Sequence, residues 1–318
     1  MPLRCAVLDD YQNVSQKLAD WSVLKPEVEV TVFNESLGDT NAVAKALRGF
    51  AIICPMRERT PISRALIEQL PDLKLIATTG PRNAAIDMQA AKERGIVVCG
   101  TDSATPPTAE LTFGLMLDCA RKISIEAARM KAGEVWQSTL GTGLEGKTLG
   151  IIGLGKLGTR VAKIAQACGM KVIAWSQNLT PEKARDSGAE YVSKEELLKR
   201  ADFVTIHVVL SDRTRGLIGE RELKLMKPTA YLINTSRGPI VDEAALAAAL
   251  KAGTIAGAGV DVFAVEPLPR DHPFRTLPTM TLTPHLGYVT DDNYRGFYGQ
   301  TVEDIRAWLD GKPIRVIG

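Results

Sequence analysis

Three polar residues and a run of glycines carry the chemistry this sequence can offer. The 318-residue chain has only three histidines, His207, His272 and His285. His285 follows an apolar run and a proline, with Gly287 close behind. A loop at a strand end would hold its imidazole in a cleft, where it gives or takes a proton near neutral pH. His207 lies inside an apolar run and is expected to pack or to lend backbone to a cofactor, whereas His272, between Asp271 and Pro273, reads as a surface turn residue. Arg237 sits in the turn NTSRG after another apolar run, where a guanidinium can fork onto a carboxylate. Glu266, in VEPLP, is a third strand-end residue. A carboxylate beside an imidazole selects its tautomer and favours its protonated form. Arginine for an acid, histidine for a proton and glutamate for the histidine are the parts that oxidation of a 2-hydroxy acid needs, with a nicotinamide taking the hydride.

The glycines lie in residues 147–178. An apolar run over 148–152 leads into Gly153, Gly155 and Gly158 at G-x-G-x-x-G spacing. Val161, Ile164, Ala165 and Cys168 then recur at helical spacing, and residues 171–175 form a second β-branched run. Strand, glycine turn, helix and strand make a βαβ unit for dinucleotide binding. Gly153 permits the tight turn, Gly155 the approach of backbone to a pyrophosphate, and Gly158 close packing of helix on strand. The helix N-terminus adds N–H donors and partial positive charge. A carboxylate at the end of the second strand would bond the adenosine ribose and repel a 2′-phosphate. Here Ser176, Gln177 and Asn178 occupy that stretch, and no arginine replaces the acid. Ser176 and Gln177 are candidate cofactor contacts as neutral donors. NAD and NADP both stay open, with a slight lean to NADP because serine donates to a phosphate and repels none.

Around this unit the chain must supply the elements that position the polar residues. Strands are expected at residues 4–8, 28–33, 51–54, 73–78 and 96–98, with helical stretches at 14–24, 41–47, 62–70 and 88–94. Such alternation implies a parallel sheet covered on both faces. This first unit lacks a phosphate-binding glycine pattern and is expected to bind the substrate. Two of its strand-end loops stand out: residues 55–60, with Arg57, and residues 79–83, with Gly80, Pro81 and Arg82. Either arginine could meet a substrate anion. Residues 101–108 read as a linker, and a long helix is expected over 109–131, its length suiting a subunit interface. Trp136 follows in a polar loop. Later strands are expected at 203–208, 231–234, 255–262 and 280–283, and later helices at 243–252 and 293–310, the last able to cross back to the first unit.

Composition narrows the class. With 45% hydrophobic and 24% charged residues the chain is an ordinary globular protein, and a formal charge of +2 is too small to argue for nucleic acid or a membrane surface. Cys5, Cys54, Cys99, Cys119 and Cys168 are scattered without a C-x-x-C pair and are expected as reduced core thiols of a cytoplasmic protein. No signal-peptide core and no metal-ligand pattern is evident, and no apolar run reaches the roughly 18 residues of a membrane span.

The sequence resembles the D-isomer-specific 2-hydroxyacid dehydrogenase family over nearly its whole length, in LGIIGLGKLG, ADFVTIHVVLSDRTRGLI, LINTSRGPIVDEAAL, GVDVFAVEPLP and TPHLG. The resemblance implies an α/β protein of two doubly wound parallel-sheet domains. A Rossmann cofactor domain of residues 104–287 is inserted into a flavodoxin-like substrate domain of residues 1–103 and 288–318. Arg237 is then the ligand of the substrate carboxylate, Glu266 the partner of the histidine and His285 the acid/base. Implied cofactor contacts are Gly153, Leu154, Gly155, Lys156, Leu157 and Gly158, Ser176, the stretch around His207, Thr235, Gly287, and Asp261 toward the nicotinamide amide. A homodimer through the cofactor domain is implied as well. Three positions depart from the pattern: Ser176 where NAD-preferring relatives carry aspartate, Arg82 where a second glycine is usual, and Tyr288 where small residues are common. The implied activity is hydride transfer between a nicotinamide cofactor and a D-2-hydroxy acid/2-keto acid pair, with 3-phosphoglycerate, glyoxylate, hydroxypyruvate or a larger 2-keto acid as candidates. The competing reading is a non-catalytic, corepressor-like protein of the same fold that senses NAD(P), and the retention of Arg237, Glu266 and His285 weighs against it.

Overall fold

Short β-branched runs alternate with helices along the chain, and each half of that pattern closes its own parallel sheet. The computed structural model describes residues 1–102 and 107–318. The chain divides into two compact units, Met1–Thr105 with Thr290–Gly318, and Pro106–Val289.

In the first unit the strands are β1 (Leu3–Val7), β2 (Val28–Val32), β3 (Ile52–Cys54), β4 (Leu75–Thr78) and β5 (Val97–Gly100). Between them run α1 (Ser15–Leu18), α2 (Thr40–Ala46), α3 (Arg64–Glu68) and α4 (Met88–Glu93). Every pair is parallel and the order is β2-β1-β3-β4-β5, the flavodoxin-like doubly wound arrangement. Central β3 and β4 are buried along their whole length, as strands covered on both faces must be. Asp39, Ser63 and Asp87 start α2, α3 and α4 by accepting the N–H of the residue three further on. The helix expected over 14–24 is instead two pieces, α1 and a 3-10 turn at Trp21–Leu24, because the Asp20 carboxylate accepts the Ser22 N–H and starts a new turn.

The second unit begins with α5 (Thr108–Arg121) and α6 (Ile123–Lys131), then β6 (Thr148–Ile152), α7 (Lys156–Ala167), β7 (Lys171–Trp175), α8 (Pro181–Asp186) and β8 (Glu190–Tyr191). It continues with α9 (Lys194–Arg200), β9 (Phe203–Ile206), α10 (Glu220–Leu225), β10 (Tyr231–Asn234), α11 (Glu243–Lys251), β11 (Gly257–Val260) and β12 (Met280–Leu282). The order is β12-β11-β10-β9-β6-β7-β8, again wholly parallel, so the direction of winding reverses between β6 and β9. Helix α12 (Asp291–Leu309) returns to the first unit.

Two further expectations need correction. The single helix over 109–131 breaks at Lys122, which has φ 56° and separates α5 from α6. No glycine or proline marks the break. Asp118 makes it: its carbonyl accepts the Lys122 N–H at 2.7 Å, and its carboxylate accepts the backbone N–H of Ser124 at 2.7 Å. Whereas α5 buries much of its length, α6 buries no residue. Nor are all five cysteines core thiols, since Cys168, at the end of α7, is exposed. The linker expected at 101–108 falls partly on residues 103–106, outside the described residues. Among the described residues no helix is long and apolar enough to cross a membrane.

Candidate active site

The glycine turn lies at the reversal of the second sheet, where ligands of such folds sit outside the strand ends. Gly153 has φ 102°, and a Cβ there would lie 2.7 Å from the carbonyl of His207, which follows β9. A Cβ on Gly158 would meet the Gly153 oxygen at 2.2 Å and Ile151 at 3.2 Å, so α7 can rest on β6 only with glycine at that place. Open space surrounds the Cβ position of Gly155, the N-cap of α7, which has no side-chain cap. The first N–H groups of α7 are therefore available to an anion. Leu154 and Leu157 are half-buried beside them, and Lys156 is exposed. This cradle fits a dinucleotide pyrophosphate. Ser176 follows β7 half-buried, its carbonyl accepting the Leu179 N–H, with Gln177 exposed next to it. At His207, burial brings the imidazole down to about 4, so the ring is neutral, and its buried Nε2 has no hydrogen-bond partner among the described residues.

At the ends of β10 and β11 the polar residues converge. His285 Nδ1 lies 2.6 Å from Glu266 Oε2, and the other Glu266 oxygen accepts the Phe263 N–H at 2.8 Å. Burial pushes the Glu266 carboxyl up, but the bond and charge of His285, the Phe263 N–H and the charge of Arg237 outweigh it, so its pKa is lowered and it stays ionised. The Arg237 turn is tied down by its neighbours: Asn234 donates to the Arg237 carbonyl at 3.0 Å, and Ser236 Oγ to the Val208 carbonyl at 2.6 Å. A Cβ on Gly238 would sit 2.0 Å from the Phe263 carbonyl carbon, which is why the chain after Arg237 can pass so near the Glu266 loop. Thr235 is buried, its hydroxyl 2.7 Å from that of Thr112 on α5.

Asp261 organises the loop that bears His285. It is wholly buried, and its Oδ1 accepts Thr283 Oγ1 at 2.6 Å and the Leu286 N–H at 2.7 Å, while Oδ2 accepts the Gly287 N–H at 2.9 Å. The His285 N–H donates to the Asp261 carbonyl at 2.8 Å, and His285 itself has φ 53°. Burial raises the Asp261 carboxyl, more than these donors and His285 lower it. Thr108 Oγ1 closes the loop from α5 by donating to the Gly287 carbonyl at 2.7 Å. Thr108, Thr283 and Gly238 went unremarked in the sequence because each acts on residues far along the chain. His272 caps a 3-10 turn, Nδ1 accepting from Phe274 and Nε2 lying 3.4 Å from Glu243.

In the first unit, Arg57 and Gly80 come together. The Arg57 N–H donates to Thr79 Oγ1 at 2.8 Å and its guanidinium to the Thr79 carbonyl at 3.2 Å. A Cβ on Gly80 would collide with the guanidinium. Pro81 and Arg82 are exposed.

Residues 113–287 match the family model described as the NAD-binding domain of D-isomer-specific 2-hydroxyacid dehydrogenases. The chain is 43% identical over 261 residues to a glyoxylate reductase of Thermococcus litoralis, covering 79% of this chain and 78% of that one. It is 41% identical over 266 residues to a D-3-phosphoglycerate dehydrogenase of Methanocaldococcus jannaschii, covering 82% of this chain but only 50% of that longer one. The crystal structure of a phosphoglycerate oxidoreductase from Vibrio cholerae superposes with a TM-score of 0.92 at 34% identity, over 97% of this chain and 99% of that one.

Proposed function

The chain belongs to the D-isomer-specific 2-hydroxyacid dehydrogenase family and is an oxidoreductase of that kind with a nicotinamide-binding domain, and we propose that Arg237, Glu266 and His285 are the residues that carry its reaction. The reading rests above all on the 2.6 Å contact between His285 and Glu266 on a loop pinned by Asp261. Arg237 binds the carboxylate of the 2-hydroxy or 2-keto acid. Because Nδ1 of His285 is committed to Glu266, Nε2 gives the proton to the carbonyl oxygen in reduction and takes it from the hydroxyl in oxidation. Ionised Glu266 accepts the Nδ1 hydrogen and so selects the tautomer of the ring. A bound nicotinamide supplies or accepts the hydride.

The substrate is a small 2-keto acid such as glyoxylate or hydroxypyruvate, or 3-phosphoglycerate in the oxidative direction. The first unit is the substrate-binding unit, and Arg57, Gly80, Pro81 and Arg82 are its candidate contacts. The cofactor rests on Gly153–Gly158, Ser176, Gln177 and the His207 stretch, with Thr235, Asp261 and Gly287 near the nicotinamide. NADPH is accepted with a slight preference. The protein works in the cytoplasm as a homodimer through its cofactor unit. Supporting that interface, α6 buries nothing and the segment beyond it leaves Trp136 71% and Leu140 97% exposed, an apolar surface that a second copy would cover. A spectrophotometric screen of 2-keto acids with NADH and with NADPH tests the activity. Tight cofactor binding with no turnover on any of them would instead favour the sensing protein.

A further inference from the structure

The backbone of His285 is pinned, its N–H donating to the Asp261 carbonyl at 2.8 Å, so what remains to be fixed is the orientation of its ring. The residue stands in a loop with φ 53°, and its imidazole is fixed to Glu266 by one bond from Nδ1. A single hydrogen bond leaves the ring free to tilt about the N···O axis, and that motion would misdirect Nε2. Tyr288 meets the imidazole from the side: the two rings stand T-shaped, with centroids 5.5 Å apart and planes at 76°, the geometry aromatic quadrupoles prefer. The backbone under Tyr288 is rigid on both sides. Asp261 accepts the Gly287 N–H, Thr108 donates to the Gly287 carbonyl, and the Val289 N–H donates to the Leu286 carbonyl at 2.9 Å. A Cβ on Gly287 would lie 3.0 Å from Thr108 and 3.2 Å from Asp261, so the turn has little room to shift. The same buried carboxylate that seats His285 therefore seats the ring that braces it.

We propose that Tyr288 is a positioning residue for the acid/base, its ring holding the His285 imidazole in the orientation that keeps Nδ1 on Glu266 and aims Nε2 at the reacting oxygen. This inference rests on the assignment of His285 made above. The contact with His285 is made by the ring, so phenylalanine should replace tyrosine where a small residue does not. The charged groups acting on His285 are Glu266 and Asp261, with Arg237 acting on Glu266. Of these Glu266 most depends on ring orientation. When the ring swings, Nδ1 loses its alignment with Glu266 and Nε2 no longer faces the reacting oxygen.

The experiment compares wild type, His285→Ala, Tyr288→Phe and Tyr288→Ser in steady-state reduction of glyoxylate, over about pH 5.5 to 9 to span the imidazole range. Tyr288→Phe should keep kcat within about twofold, whereas Tyr288→Ser should lower kcat about tenfold, part of the 100-fold or more that an acid/base is worth. In the serine variant KM should change much less. Should Tyr288→Ser fold poorly, Tyr288→Leu fills the volume without an aromatic ring and is expected to show the same loss. A small-residue variant that alters only KM, with the kcat of wild type, overturns the proposal and makes Tyr288 a wall of the pocket. If His285→Ala itself keeps normal turnover, the acid/base assignment falls, and this inference with it.

Discussion

Where β6 meets β9, the second sheet ends in bare backbone, whereas between β1 and β3 the first sheet ends in a packed polar cluster. Both places are reversals of strand order, the crevice in which doubly wound folds hold ligands. At the first, glycines stand wherever a side chain would strike backbone, and Gly155 opens onto empty space. At the second, Asp9 follows β1 with φ 58° and is 2% exposed, its carboxylate accepting Thr60 Oγ1 at 2.7 Å and the Tyr11 hydroxyl at 3.1 Å. Arg59 donates to the Asp9 carbonyl at 2.8 Å and lies over the Tyr11 ring. One crevice has its donors turned outward, and the other satisfies its polar groups internally. Topology creates the opening in both sheets, but at only one of them does withdrawal of side chains leave backbone donors open to an anion.

The contrast can be broken experimentally. Removing chemistry from the second unit should have the largest effect: His285→Ala should cut kcat by about 100-fold or more with the cofactor dissociation constant unchanged, and near-normal turnover at every pH would end its assignment. Next, Arg237→Lys keeps the charge but loses the two-pronged fork. The expected fall in kcat/KM for a 2-keto acid is about tenfold or more, the worth of a charged hydrogen bond. An equal deletion at the filled crevice should act on stability instead. Asp9→Ala leaves Thr60 and Tyr11 without their acceptor, so urea unfolding should show a loss of about 1–3 kcal/mol, with kcat affected far less than by His285→Ala. Ser176→Asp should then move the NADPH/NADH ratio of kcat/KM toward NADH by about tenfold, a 1.4 kcal/mol difference, because a carboxylate repels the 2′-phosphate. A wild type with no detectable NADPH rate would contradict the premise.

The smallest effect is in pH. Burial raises the Asp9 carboxyl above its ordinary 3.8, against the lowering by Thr60, Tyr11 and Arg59. The folded state therefore binds this proton more tightly than the unfolded chain does. That contribution is full below pH 3.8 and is lost as pH rises through the folded value. Asp9→Asn removes the dependence, so its unfolding free energy relative to wild type should grow as pH rises above 3.8; a constant difference would argue against a raised carboxyl.

Much of this was written locally. The β-branched runs, the capped helix starts and the spacing of Gly153, Gly155 and Gly158 are properties of a few consecutive residues, so strand–helix alternation, two parallel sheets and a dinucleotide turn could be read before any coordinates. The break at Lys122 is also local, yet it escaped notice, because Asp118 ends one helix and starts the next without a glycine or proline to mark it. What the sequence could not express is which distant groups share a volume. Asp261 reaches Thr283, Leu286 and Gly287 across 22 to 26 residues, Glu266 meets His285 across 19, and Thr108 holds Gly287 across 179. Glycine at 238 is required because the Phe263 carbonyl passes where a Cβ would be. Such requirements belong to pairs of segments that only folding brings within hydrogen-bond or van der Waals range. A periodic pattern specifies the face each element buries, and the order and register of the sheet decide what it is buried against.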